Sequence, residues 1–349
     1  MPPKTPGPTG HQDASSPLLT TLLGYTPNLT GLRDWVDETL HDIERWWSPA
    51  PGKIGKDPHH DQPVAKGQPP LVPAVGGEVS LADAQDMALR ISTTFEGGVA
   101  LNYKALADDG DKQATSFGLI QWNFGQNTLG PLLNKMRAKN AAAFDACFGA
   151  DADYATLKTA LAANDGPGQC AWARGLLKTK AGRAAWKAAF HAIGSNDDFN
   201  KIQHDEALAK YSPMAAREVA RCRKLSPDLF KRIEFRTYAA LYDLCVQQGS
   251  LDRVVKQKHP PKVLADCVAN IQARVLAEKP ATQLAFMEIA VQERGKMASD
   301  AWKADAISRR MGILTGAAYA SSEGSSPKTR KNPQYAFITQ HGTQYVTGL

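Results

Sequence analysis

From Ser80 onward, apolar residues at Leu81, Ala84, Ala88, Ile91 and Phe95 recur at spacings of three and four, which is one face of an amphipathic helix. Ser80 supplies an N-cap and Gly97-Gly98 a stop, so Glu96 falls in the last turn. The short Phe117/Leu119 alternation in Ser116-Phe-Gly-Leu-Ile-Gln-Trp-Asn123, followed by Trp122, predicts a strand or hairpin. After Gly125 the pattern is helical almost throughout. Helices are predicted over Gln126 to Asn140, with Pro131 in the first turn, over an Ala-rich 141–163 broken near Gly149, over Trp172 to Ile193, and over Asp197 to Tyr211, which stops ahead of Pro213. A helix opened by Ser226-Pro227 would carry Phe230, Ile233, Leu241 and Leu244 inward and end near Gly249. Pro260-Pro261 and Pro280 are read as starting two more, the second bearing Leu284, Met287, Val291 and Arg294, and Ser299 to Leu314 as the final one. Residues 317–349 read as an irregular tail with a short strand at Tyr335-Ala-Phe-Ile-Thr. The predicted class is therefore all-α with a small β-hairpin.

The first part of the chain follows different rules. Thirteen of the 22 prolines lie within residues 1–73, so stretches 1–17 and 48–78 read as extended linkers. Between them Leu32, Val36, Leu40, Ile43 and Trp47 predict one helix over 29–47, suited by Trp35, Trp46 and Trp47 to a partner's groove or to the protein's own catalytic domain. His59-His60 reads as part of a polar loop rather than a metal site. The expected organisation is a linker or docking segment at 1–78, a catalytic domain at 79–316 and a tail at 317–349.

A net charge of +6 and a pI near 8.9 favour an anionic partner, and a cell-wall polymer bearing carboxylates fits at least as well as nucleic acid. No basic motif interleaved with aromatics and no zinc spacing appears, so neither nucleic-acid binding nor a metal or other cofactor is expected. No apolar run approaches the roughly 20 residues of a membrane span, and the first residues do not read as a secretory signal. Cys147, Cys170, Cys222, Cys245 and Cys267 are spread without a CxxC pair and read as buried thiols on helix faces.

The residues that can carry chemistry cluster between Glu96 and Asn123. A carboxylate at a helix C-terminus, beside an apolar face, meets two effects that disfavour its charged form, which suits a general acid. Asp108, Asp109 and Asp111 follow in a Gly-containing loop. An acid at a helix end facing a second carboxylate on a loop is what cleavage of a glycosidic bond uses.

The order of a helix-terminal Glu96 followed by Gly, an Asp some fifteen positions on, then Ser116-Phe-Gly-Leu-Ile-Gln-Trp-Asn-Phe-Gly-Gln126 and Thr128-Leu-Gly-Pro-Leu-Leu133 resembles the lysozyme-like superfamily. Within it the chain looks most similar to the chitosanase-related muramidase domains of type VI secretion effectors. Leu241-Tyr-Asp-Leu-Cys-Val-Gln-Gln-Gly249 and the stretch from Ala290 to Arg310 look similar to that group as well. The resemblance implies a two-lobed lysozyme-like fold, with Glu96 as the catalytic acid and Asp111, five residues before Ser116, as the second carboxylate. Asp109 and Asp108 remain alternatives, and Ala114 stands where a glycine would be usual. The polar residues Ser116, Gln121 and Asn123 are then candidates for contacts to sugar hydroxyls, with Trp122 in the core. Asp243 and Gln247, four apart on one helix face, are candidates for the cleft floor together with Arg294. The implied activity is hydrolysis of the β-1,4 glycan of peptidoglycan by an antibacterial toxin, with a chitosanase or a non-catalytic glycan-binding or adaptor module as rivals. The implied partners are glycan strands, a secretion spike or adaptor protein and a cognate immunity protein. Synthesis in the cytoplasm and action in a rival's periplasm complete that expectation.

Overall fold

The computed structural model describes residues 77–349, apart from Pro260 and the side chain of Asp111. The expected helix over 29–47, the Pro-rich linkers and His59-His60 lie outside the described residues. The described chain is mostly helical, with twelve α-helices and four small sheets, in agreement with the expected class.

After strand β1 (Glu78–Ser80) comes helix α1 (Leu81–Gly97). Ser80 caps it through a hydrogen bond from the Asp83 N–H, and Gly98 closes it in the left-handed conformation at φ 76°. Strands β2 (Leu106–Ala107), β3 (Ser116–Phe117) and β4 (Trp122–Asn123) form one antiparallel sheet directly after that helix. Helices α2 (Leu129–Lys139), α3 (Ala141–Asp145) and α4 (Tyr154–Ala162) follow. The expected helix over Trp172 to Ile193 is two helices, α5 (Gly166–Leu177) and α6 (Lys180–Ile193). The break falls at Thr179, whose hydroxyl accepts from the Gly182 N–H and so caps α6.

Helix α7 (Asp197–Leu225) runs unbroken for 29 residues through Pro213, where the pattern predicts a stop. Proline removes one helical hydrogen bond at a cost of about 3 kcal/mol. Burial on both sides of it, at Ala207, Tyr211, Ala215 and Val219, is a larger opposing term.

The helix expected from Ser226-Pro227 begins only at Phe235. Ile233-Glu234 is instead strand β5, and α8 spans Phe235–Gln248. Every residue of α8 from Thr237 to Cys245 is buried, and the helix packs on α1 and α7. The hairpin β6 (Val254–Gln257) and β7 (Lys262–Asp266) replaces the start expected at Pro260-Pro261, and α9 (Cys267–Glu278) opens on the Asp266 cap. Helices α10 (Gln283–Lys296) and α11 (Asp300–Thr315) then follow as expected, the latter against α8 and α10.

The irregular tail is a correction. Residues after Gly316 form hairpin β8 (Tyr319–Ser321) and β9 (Lys328–Arg330), helix α12 (Tyr335–His341) where a strand was expected, and strand β10 (Tyr345–Thr347). Strand β10 lies between β1, to which it is parallel, and β5, to which it is antiparallel. Asn332 also donates to the Ile91 carbonyl at 2.9 Å. The end of the chain thus braces the helix that carries Glu96.

Candidate functional site

Glu96 occupies the last turn of α1, its side chain 25 % exposed. Arg309 on α11 donates from both Nη1 and Nη2 to Glu96 Oε1, each at 2.9 Å. The same Nη2 donates at 2.7 Å to Oδ1 of Asp243, which lies on α8 and is fully buried. Phe95 stacks beneath the Arg309 guanidinium at 4.4 Å, and the Tyr335 hydroxyl of α12 donates to the Arg309 carbonyl at 3.4 Å. Gly312 is required here, because an added Cβ would stand 2.1 Å from the Tyr335 oxygen. The expectation of a carboxyl beset only by the helix dipole and apolar neighbours omitted this cation. Burial works against charge on Arg309, but Asp243 and Glu96 outweigh it and hold the guanidinium well above its ordinary value. Glu96 is therefore fixed through one oxygen, while Oε2 makes no hydrogen bond among the described residues.

The sheet that follows is held in place by long-range contacts. Gln203 of α7 accepts from the Leu119 N–H and donates to the Tyr103 carbonyl, both at 3.2 Å. Gly118, at φ 81°, leaves the room: a Cβ there would lie 2.2 Å from the Gln203 oxygen. Tyr211, also on α7, is buried within electrostatic reach of Glu96, and burial first, then that carboxylate, push its hydroxyl upward.

The loop aspartates are engaged by arginines from distant helices. Asp108 receives Arg183 of α6 at 2.6 Å and the Gly110 N–H at 3.2 Å. Asp109 receives Arg174 of α5 in two bonds at 2.9 and 3.2 Å, and the Ala114 N–H at 2.6 Å. Burial opposes ionisation of Asp109, but Arg174 and the Ala114 N–H prevail and hold it below the usual carboxylate range. Asp111 sits in the short 3-10 turn Asp109–Asp111; its side chain lies outside the described residues. Ala114 adopts φ 64°, a left-handed conformation that costs a non-glycine residue about 1–2 kcal/mol.

Of the five expected substrate contacts, Gln121 is the one partly exposed, while Ser116, Asn123, Asp243 and Gln247 are buried. Asn123 accepts from the Gln126 N–H at 2.8 Å and organises the turn after β4. Trp122 is in the core. Gln247 accepts from Arg310 at 2.6 Å and donates to Asp305 at 2.9 Å, so with Asp243 it stands behind Glu96. Arg294 donates to the Ser250 and Gln248 carbonyls and finishes the C-terminus of α8.

Arg309 is the main residue that the sequence reading missed. Its signal was an Arg-Arg pair inside the run Ala304 to Leu314, which is apolar apart from that pair, Asp305 and Ser308 and is buried throughout. Two cavities, of about 340 and 270 Å³, lie elsewhere: the first between the start of α1 and His341–Gln344, the second between α9 and α10. The five cysteines are free thiols, three of them buried, and burial pushes Cys267 up to about 12. Among the described residues no cluster with metal-ligand spacing occurs, and no helix is long and apolar enough to cross a membrane. No protein-family model matches the chain, and neither does any curated protein.

Proposed function

We propose that the protein is a glycoside hydrolase of the lysozyme-like type that cleaves the β-1,4 glycan of peptidoglycan, with Glu96 as general acid. The observation that carries this reading is a partly exposed carboxyl at a helix end, clamped through Oε1 by a buried arginine and leaving Oε2 for a leaving-group oxygen. Such clamping supplies the positioning that proton transfer needs. The helix runs into a three-stranded antiparallel sheet whose first loop bears three aspartates, of which the resemblance assigns one, Asp111, to the second carboxylate. Asp108 and Asp109 are each paired with an arginine, and the resemblance assigns Asp111 as the carboxylate that activates water or stabilises an oxocarbenium-like state. Gln121 is the best placed of the candidate sugar contacts. The +6 charge suits an anionic wall better than cationic chitosan. Delivery by a secretion spike or adaptor into a rival's periplasm, and neutralisation by an immunity protein, belong to the same proposal and rest on the resemblance alone. The test is release of reducing ends by the purified protein from cell-wall sacculi and from chitosan. Release from sacculi supports the proposal, release from chitosan alone makes the protein a chitosanase, and release from neither makes it a binding module.

A further inference from the structure

The chain of charges behind Glu96 does not stop at Asp243. Arg310, next to Arg309 on α11, brings its Nε to 3.6 Å from Asp243 Oδ2 and donates from Nη2 to Gln247 Oε1 at 2.6 Å. Gln247 passes the chain on, donating to Asp305 Oδ2 at 2.9 Å. Asp305 is 1 % exposed, and its other oxygen takes the Nε of Arg330 at 2.5 Å. Arg330 lies at the end of β9, in the segment after Gly316, and its own side chain is 35 % exposed.

Three carboxylates (Glu96, Asp243, Asp305) therefore alternate with three guanidinium groups (Arg309, Arg310, Arg330). The hydrogen bonds do not saturate this set. Asp243 Oδ2 and the Nε atoms of Arg309 and Arg310 are buried without one. The position of Arg309 is thus fixed by balance of charge as much as by directed bonds. Without Arg330, the buried Asp305 carboxylate keeps the neutral Gln247 as its partner in this network, and Arg310 and Arg309 are cations that already feel its field. Any movement toward Asp305 withdraws guanidinium from Asp243 and then from Glu96.

We propose that Arg330 is a positioning residue for Glu96, acting through Asp305, Gln247, Arg310, Asp243 and Arg309. The inference rests on the reading of Glu96 as the acid. It makes the C-terminal hairpin part of the working site, reached by a route of side chains that each have a named partner.

The experiment compares wild type, Arg330→Ala and Arg330→Lys, each shown to be folded by circular dichroism, with two readouts. The first is hydrolysis of sacculi. Arg330→Ala is expected to lower kcat about tenfold at unchanged KM, with a shifted pH profile, and Arg330→Lys to recover most of the loss. The second needs no activity: the guanidinium N–H signals of Arg309 in a ¹⁵N spectrum, assigned as those that Arg309→Lys removes. They are expected to be resolved and slow to exchange in wild type, to broaden or shift in Arg330→Ala and to return in Arg330→Lys. Arg309 signals and kcat both unchanged in folded Arg330→Ala overturn the proposal. If wild type hydrolyses neither sacculi nor chitosan, the catalytic reading fails and the spectrum alone decides the anchoring. Unchanged Arg309 signals overturn it in that case as well.

Discussion

Two sets of carboxylate–arginine pairs lie on either side of β2 along the chain, at Glu96 and at Asp108-Asp109, and they differ in what surrounds them. Around Glu96 the guanidinium of Arg309 is 5 % exposed and its second partner Asp243 is fully buried. In the aspartate loop, Arg174 and Arg183 are 45 % and 49 % exposed, and Asp109 and Asp108 are 32 % and 47 % exposed. Similar chemistry therefore serves different ends. In the first set water cannot replace a lost partner, so each group dictates where the next one stands. In the second, water and salt screen the attraction, and the pairs shape a loop without contributing much stability.

The largest effect should come from breaking the buried set. Arg309→Met leaves Asp243 buried without its closest cation and should cost about 3–5 kcal/mol of stability by urea denaturation, with loss of wall hydrolysis. A loss below about 1 kcal/mol would show that the interior there is wet, and the contrast between the two sets would fall.

Next comes the choice among the loop aspartates. Asp111→Asn is expected to lower hydrolysis by at least about 100-fold, as removal of a general base does, and Asp108→Asn or Asp109→Asn by much less. Should Asp109→Asn be the most damaging, its pairing with Arg174 is part of the chemistry and the loop register assumed here is wrong. A smaller effect is expected from the surface arginines themselves. Arg174→Ala and Arg183→Ala should each cost about 0–1 kcal/mol, and less in high salt.

The smallest effect is one of pH. Asp109 is held below its ordinary value in the fold, so its pairing contributes stability above the unfolded carboxylate value near 3.9 and loses it as pH falls through the lower folded value. Thermal melts of wild type and Arg174→Ala should therefore differ at neutral pH and converge in strong acid. A gap that widens on acidification would reverse the assigned sign.

The sequence made α1 legible because its signals are local: a serine cap, one apolar face and a glycine stop on and immediately around a helix of 17 residues. The β2–β3–β4 sheet showed only in part, since β2 and the turn geometry depend on Gln203 reaching across from α7. Pro213 misled because a local rule was overridden by burial on both sides of it. Ile233-Glu234 misled because a two-residue strand exists only through its pairing with β10. The site divides the same way. Glu96 and the aspartates lie within one stretch of chain, whereas Arg309, Arg174, Arg183 and Arg330 come from helices and a hairpin whose approach no local pattern records. Asp243 and Gln247 were singled out by their shared helix face, but α8 is buried on nearly every side and that face meets other side chains rather than an open cleft.

The central claim is that the free oxygen of a clamped Glu96 delivers the proton. Glu96→Gln keeps the shape and can still accept a hydrogen bond from Arg309, but carries no titratable proton. Reducing ends released from sacculi should fall by at least about 100-fold relative to wild type in protein with an unchanged circular dichroism spectrum. A folded Glu96→Gln protein that retains most of the wild-type rate would remove Glu96 from the mechanism.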